Sequence, residues 1–157
     1  MEVQEQDNVI TLAKTFKAPK ELVFSMFKNP HIQQWWGPTT YPVKVSNQDF
    51  TVGGSWHYCM VGPGGQEAWG KAFYDEIDEP NKIVFQDYFS NAEGTIDESL
   101  PSGQSTVTFD EANGHTTLTL RGEYQSSEEV KKLIEMGMME GFKDTLTQLE
   151  ALLEKAQ

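Results

Sequence analysis

The chain has 157 residues, of which 38% are hydrophobic and 23% charged, and its net charge is −12. This size and composition exclude a disordered chain, and we expect residues 1–157 to form one domain with a hydrophobic core. The negative charge argues against nucleic acid and against an anionic membrane as partners, because both are bound through clustered lysine and arginine.

The first predicted elements are one strand and two short helices. Residues 9–17 alternate apolar and polar side chains, which is the pattern of a half-buried strand. One helix is predicted over residues 21–27 and a second over residues 31–36, separated by Asn29-Pro30. Residues 1–8 are polar and contain neither a basic segment nor an apolar run. We therefore predict no signal peptide and expect a cytoplasmic protein.

Six further strands are predicted, because short apolar segments alternate with turn residues. Asn113-Gly114 lies between the last two and is the strongest hairpin signal in the chain. The only cysteine, Cys59, lies within the second of these strands and is expected to be a small buried apolar side chain. The six segments are residues 42–49, 55–61, 67–77, 82–89, 105–110 and 115–122.

A long C-terminal helix is predicted over residues 127–155, about 40 Å in length. Its apolar positions follow a spacing of three and four residues: Val130, Ile134, Met138, Phe142, Leu146, Leu149 and Leu153. Gly137 and Gly141 lie on one face of this helix, where each costs about 1 kcal/mol relative to alanine. Either close packing on the sheet or space for a ligand offsets that cost.

The order of elements predicts an α+β fold. About seven antiparallel strands form a curved sheet whose apolar face the long C-terminal helix covers. Such a sheet, wrapped around one helix, leaves a cavity that the two short helices close at one end.

Several local motifs, in this order, resemble one known family over residues 8–155. The resemblance is to the activator-of-heat-shock-protein-90-ATPase homologue family, within the START-like, birch-pollen-allergen-like (SRPBCC) superfamily. Gly141-Phe142 departs from the usual Gly-Trp of that family. The motifs are Pro19-x-x-x-Val23-Phe24, Asn29-Pro30-x-x-x-x-Trp35-Trp36-x-Pro38, Gly53-Gly54-Ser55-Trp56, Gly70, Glu76-Ile77-x-x-Pro80-x-Lys82-Ile83-Val84, and Gly141-Phe142-x-x-x-Leu146-x-x-Leu149-x-x-x-Leu153.

The resemblance implies a helix-grip fold, in which the sheet encloses a hydrophobic cavity against the long helix. Superfamily members bind lipids, sterols, polyketides and other apolar molecules, a few are cyclases, and the members that give the family its name are co-chaperones. A fold of this kind does not by itself determine a function. Three hypotheses follow: binding of a small hydrophobic or aromatic ligand, a chaperone-linked interaction module, and a polyketide-cyclase-like enzyme.

Aromatic residues and methionines are the candidates for lining the cavity. The alternative interpretation is that they fill an ordinary core, since aromatic stripes are more often core than site. In residues 55–61, alternation places Trp56, Tyr58 and Met60 on one face and His57 on the other. The candidates are Trp35, Trp36, Trp56, Tyr58, Met60, Trp69, Phe73, Phe85, Asp87, Met138 and Phe142.

Asp87 is the unusual candidate, because alternation puts its carboxyl on the same face as Phe85 and Phe89. A carboxyl on an apolar face is hydrogen-bonded, paired or protonated. Asp87 is therefore a candidate for orienting a ligand or, with His57, for acid–base catalysis; the alternatives are exposure to solvent or an ion pair with Lys71 or Arg121.

No metal site is predicted, because the three histidines show no ligand spacing. No cofactor is expected either. The expected partners are a small hydrophobic ligand and a chaperone, and the protein itself is expected to be a monomer or a homodimer.

Overall fold

The architecture is an open antiparallel sheet covered on one face by helices, in a computed structural model that describes all of residues 1–157. The sheet has eight strands in the order β1-β2-β8-β7-β6-β5-β4-β3. The strands are β1 (Glu2–Gln6), β2 (Val9–Phe16), β3 (Val43–Gln48), β4 (Ser55–Val61), β5 (Glu67–Asp78), β6 (Lys82–Ser90), β7 (Gly103–Ala112) and β8 (His115–Tyr124).

Three α-helices complete the fold: α1 (Lys20–Ser25), α2 (Ser127–Glu135) and α3 (Met138–Lys155). The predicted α+β helix-grip fold is therefore confirmed. The strand count is eight rather than about seven, because β1 pairs with β2 and had escaped detection. All five of its side chains are exposed, so β1 lacks the apolar alternation that marks a half-buried strand.

The predicted hairpin at Asn113-Gly114 joins β7 to β8. Both residues have positive φ, 56° and 78°, as a two-residue turn matched to the twist of the strands requires. The hairpin sets the register that pairs Gly103 with Tyr124 and Ser105 with Gly122. It therefore brings small residues of both strands onto one part of the sheet.

The single long C-terminal helix was a wrong prediction, because Gly137 interrupts it. Its φ of 92° is left-handed and ends the α-helical geometry between α2 and α3. The apolar spacing runs on across the break, so the pattern alone did not reveal it. At the start of α2 the Ser126 side chain accepts a hydrogen bond from the Glu129 backbone N–H and so caps the helix.

The second of the two predicted short helices is only a 3-10 turn, Ile32–Gln34. The helical geometry does not continue, and Gly37 soon afterwards has a left-handed φ of 87°. The Trp35 indole N–H donates to the Met26 backbone carbonyl at 2.8 Å and fixes this segment against the end of α1.

Two hydrophobic clusters lie between the helices and the sheet. The larger contains 22 buried residues and includes Leu146, Leu149 and Leu153 of α3. The smaller consists of Ile10 and Leu12 of β2 with Val130 of α2. None of the helices is both long enough and apolar enough to cross a membrane.

Candidate functional site

A cavity of about 330 Å³ lies between the sheet and the first half of α3. It borders both hydrophobic clusters: Ile10 and Leu12 line it on one side, Trp36 and Phe85 on the other. Sixteen of its 29 lining residues are hydrophobic. Its volume falls within the ~300–1,000 Å³ range of small-molecule sites, which are mostly apolar with a few polar groups.

Glycines make room for two tyrosines on the sheet side of the cavity. A Cβ atom at Gly70 would collide with the ring of Tyr58, and one at Gly103 would lie 2.6 Å from the Tyr124 ring. A Cβ at Gly122 would lie 3.0 Å from the Tyr124 hydroxyl. The two phenol rings therefore lie flat against the sheet, and the cavity above them stays open.

Another glycine leaves space on the helix side. Gly137, Gly141 and Thr145 lie on one face of the helical segment and all line the cavity. A Cβ at Gly141 would meet no atom within 4 Å. The Thr145 hydroxyl already donates to the Gly141 carbonyl at 2.8 Å. Of the two explanations for Gly141, the geometry favours open space over close packing against the sheet.

The polar group at the centre of this site is Asp87. It lies in β6, where its pairing partners are the small residues Ala72 of β5 and Gly103 of β7. The Tyr58 hydroxyl donates to Asp87 Oδ1 across a long 3.5 Å. Burial raises the pKa of this carboxyl from 3.8 to about 7, and hydrogen bonds from Tyr58 and the Tyr88 backbone oppose the rise.

The tyrosines keep their protons near this carboxyl. Burial, and secondarily the charge of Asp87, raise the pKa of Tyr58 well above its usual value and that of Tyr124 to about 12. Both hydroxyls therefore stay available as hydrogen-bond donors at neutral pH.

Seven of the candidate residues line the cavity together with Trp69. The Trp36 ring contacts the Phe142 ring edge-on, with centroids 6.1 Å apart, which joins the loop after the 3-10 turn to α3. The seven are Trp36, Tyr58, Met60, Phe85, Asp87, Met138 and Phe142.

Trp35, Trp56 and Phe73 are placed elsewhere. Trp35 and Trp56 are 1% and 2% exposed and belong to the larger core cluster. Trp56 stacks on Tyr58 with ring centroids 4.1 Å apart, so it supports a lining residue from behind. Phe73 alternates with the inward-facing Ala72 and Tyr74, and its ring contacts Tyr88 on the outer face of the sheet.

His57 and Trp69 pack against each other on that outer face, with ring centroids 4.8 Å apart. Trp69 borders the cavity, but its indole N–H donates to Glu67 at 2.9 Å and its ring lies beside His57. A ring nitrogen of His57 lies 3.0 Å from the Asn91 carbonyl oxygen. His57 is thus separated from Asp87 by the thickness of the sheet.

Sequence reasoning missed the residues that shape the sheet side of the cavity, above all Gly70, Gly103, Gly122 and Tyr124. For Gly122 and Tyr124 a signal was present in β8. Leu118 and Leu120 face inward, and strand alternation places Gly122 and Tyr124 on the same face. For Gly70 and Gly103 no local signal exists, because their role depends on the side chains that neighbouring strands place over them.

Connecting segments also line the cavity. Gly37 and Pro38 follow the 3-10 turn, Pro101 and Ser102 precede β7, and Met136 ends α2. Met136 is 54% exposed although it is a large apolar residue. Met136 therefore presents exposed apolar surface beside the cavity.

The chain was compared with known proteins. A sequence profile described as Activator of Hsp90 ATPase homolog 1-like protein matches residues 17–154. No curated protein matches the sequence significantly.

Three solved bacterial structures are similar over nearly the whole chain. A Staphylococcus epidermidis protein is 32% identical, with 100% of this chain and 96% of that one covered and a TM-score of 0.87. A Mycobacterium smegmatis protein is 29% identical, with 98% and 96% covered and a TM-score of 0.89. An Arthrobacter aurescens protein is also 29% identical, with 98% and 91% covered and a TM-score of 0.92.

Proposed function

This chain belongs to the Activator of Hsp90 ATPase homolog 1-like family, and we propose that it binds one small, largely apolar molecule in the cavity without transforming it. The observation that carries this proposal is the open volume of about 330 Å³ between Gly141 and the tyrosine-covered sheet. A structure selected only for stability would fill such a volume, because each lost packing contact costs free energy.

The ligand is held by desolvation and oriented by a few polar groups. A bicyclic aromatic molecule that buries about 200 Å² of apolar surface gains roughly 5 kcal/mol before the cost of association is subtracted. Tyr58, Tyr124 and Asp87 supply the polar contacts at one side of the cavity.

Calorimetric titration with 1-naphthylmethanol tests the proposal. The wild-type protein is expected to bind it, and Gly141→Leu is expected to abolish binding because the leucine side chain enters the cavity. Thr147→Leu is the matched control, since Thr147 lies on the exposed face of the same helix. Equal binding by wild type and Gly141→Leu would show that the cavity is not the site.

A second candidate function is a chaperone-linked interaction module, which the family description favours. It predicts that the chain stimulates ATP hydrolysis by a heat-shock protein 90. Unchanged hydrolysis, with no retention of the chaperone on immobilised protein, would eliminate it.

A third candidate, a polyketide-cyclase-like reaction, is supported by the position of Asp87. A carboxyl with a pKa raised to about 7 beside a phenol could take a proton from a substrate carbon. Asp87→Asn is then expected to abolish turnover without unfolding the protein; retained turnover would rule out this role.

A further inference from the structure

We propose that the ligand of this cavity carries a basic nitrogen, so that a protonated amine on an apolar body pairs with Asp87. This inference rests on the proposed function and specifies the class of ligand. Asp87 has no cationic partner within the protein, since none of the four ion pairs includes it.

Arg121 and Lys71, the basic residues that could pair with Asp87, both point away from it. Arg121 borders the cavity through its strand, but it alternates with the inward-facing Leu120 and Gly122. Its guanidinium instead pairs with Glu123 at 3.2 Å and is 47% exposed. Lys71 lies over the Phe73 ring on the outer face of the sheet.

The hydrogen bonding of Asp87 is also incomplete. Its side-chain partner is the Tyr58 hydroxyl at 3.5 Å, at the outer limit for such a contact. An ionised carboxylate has roughly four acceptor positions, so most of its capacity remains for a ligand. An ammonium group in the cavity supplies both a charge and several donors.

The remaining groups that face Asp87 from the surrounding elements are uncharged at neutral pH. Tyr58 of β4, Tyr74 of β5 and Tyr124 of β8 all have raised pKa values, chiefly through burial. The neighbours on β7 are Gly103 and Ser105.

The helix side adds no positive charge either. The lining residues of α3 include Met138, Phe142 and Thr145, and Trp36 completes that side. The charged group on the helices that affects a lining residue is acidic: the negative charge of Glu129 in α2 contributes to the raised pKa of Tyr124. Because Arg121 pairs with Glu123, no free positive charge offsets the carboxylates at the cavity, which disfavours an anionic ligand such as a fatty acid.

Three probes with one aromatic body test this inference: 1-naphthylmethylamine, 1-naphthylmethanol and 1-naphthoate, titrated calorimetrically at pH 8. The amine is expected to bind roughly tenfold more tightly than the alcohol, and the carboxylate most weakly. Asp87→Asn is expected to remove the advantage of the amine, so that the amine and the alcohol bind with similar affinity.

The control variant is Asp110→Asn, which removes one exposed carboxylate of the same sheet and changes the net charge equally. It is expected to keep the preference for the amine. A preference that survives Asp87→Asn, or that Asp110→Asn also removes, would assign it to the overall negative charge and overturn the inference.

The pH dependence supplies a second measurement. Because the pKa of Asp87 is raised to about 7, its ionised fraction grows between pH 6 and pH 8. Affinity for the amine, which stays protonated, is expected to rise roughly tenfold over this interval, and affinity for the alcohol is expected to stay level.

The same titrations separate this inference from the proposed function. If the alcohol binds but the amine binds no better, the cavity is a ligand site without the proposed selectivity. If none of the three probes binds and Gly141→Leu changes nothing, the proposed function and the inference both fall.

Discussion

The two halves of α3 face the same sheet but differ in what lies between. In the C-terminal half, Leu149 and Leu153 are 0% and 2% exposed and pack into the larger core cluster. In the N-terminal half, Gly141 faces a cavity of about 330 Å³. One helix thus stabilises the fold with its second half, which leaves its first half free to shape a site.

The largest expected effect is a difference in the free energy of unfolding between substitutions in the filled half and in the open half of α3. Leu149→Ala removes a fully buried side chain and is expected to lower the free energy of unfolding by about 3 kcal/mol. Phe142→Ala, beside the existing cavity, is expected to cost less, about 1–2 kcal/mol, because fewer packing contacts are lost. Urea denaturation of both variants measures the difference; equal costs would mean that the two halves are packed alike.

The next effect concerns the charge in the open half. Asp87 titrates near 3.8 when unfolded and near 7 when folded, so between these values the unfolded chain is ionised while the folded protein holds the proton. Its contribution to stability therefore falls as the pH rises from about 4 to 7 and is level above 7.

Asp87→Asn removes this pH dependence. Relative to wild type, the variant is expected to gain on the order of 2 kcal/mol between pH 5 and pH 7. Paired urea denaturations across this range measure it. A difference between the two proteins that does not change with pH would show that the carboxyl is fully hydrated.

A smaller effect is expected at the helix break. Gly137→Ala places a Cβ in left-handed backbone with φ 92°, and we expect it to destabilise the protein by about 1 kcal/mol. Thermal unfolding detects this loss. Unchanged stability would indicate that α2 and α3 can join into one helix.

Gly141→Ala is the matched change with the opposite sign. The added methyl group meets no atom within 4 Å, and alanine is the better helix former. A gain of about 0.5–1 kcal/mol is expected, measured by the same thermal unfolding. Destabilisation would contradict the assignment of open space beside this residue.

The family and the helix-grip fold could be predicted from the sequence and are confirmed, because the motifs and the alternation in β4 and β6 are local patterns. Local patterns also sufficed to put Tyr58 and Asp87 on the inner face. β1 was missed because its side chains are exposed on both faces and its pairing with β2 is made by the backbone.

The division between filled and open halves could not be predicted in the same way. It depends on which residues of neighbouring strands meet, such as Gly103 beside Asp87 and Gly70 beneath Tyr58. Trp56 and Tyr58 are both large aromatic residues on the same face of β4, yet only Tyr58 lines the cavity. Register across strands, and not the pattern within one strand, decides this.

An NMR titration of the wild-type protein with 1-naphthylmethanol tests the central claim most directly. The backbone amide signals of Gly70, Gly103, Gly122 and Gly141 are expected to shift, whereas those of Leu149 and Leu153 are expected to stay in place. Shifts confined to the outer face around His57, or no shifts at all, would contradict the account of an open, ligand-binding half.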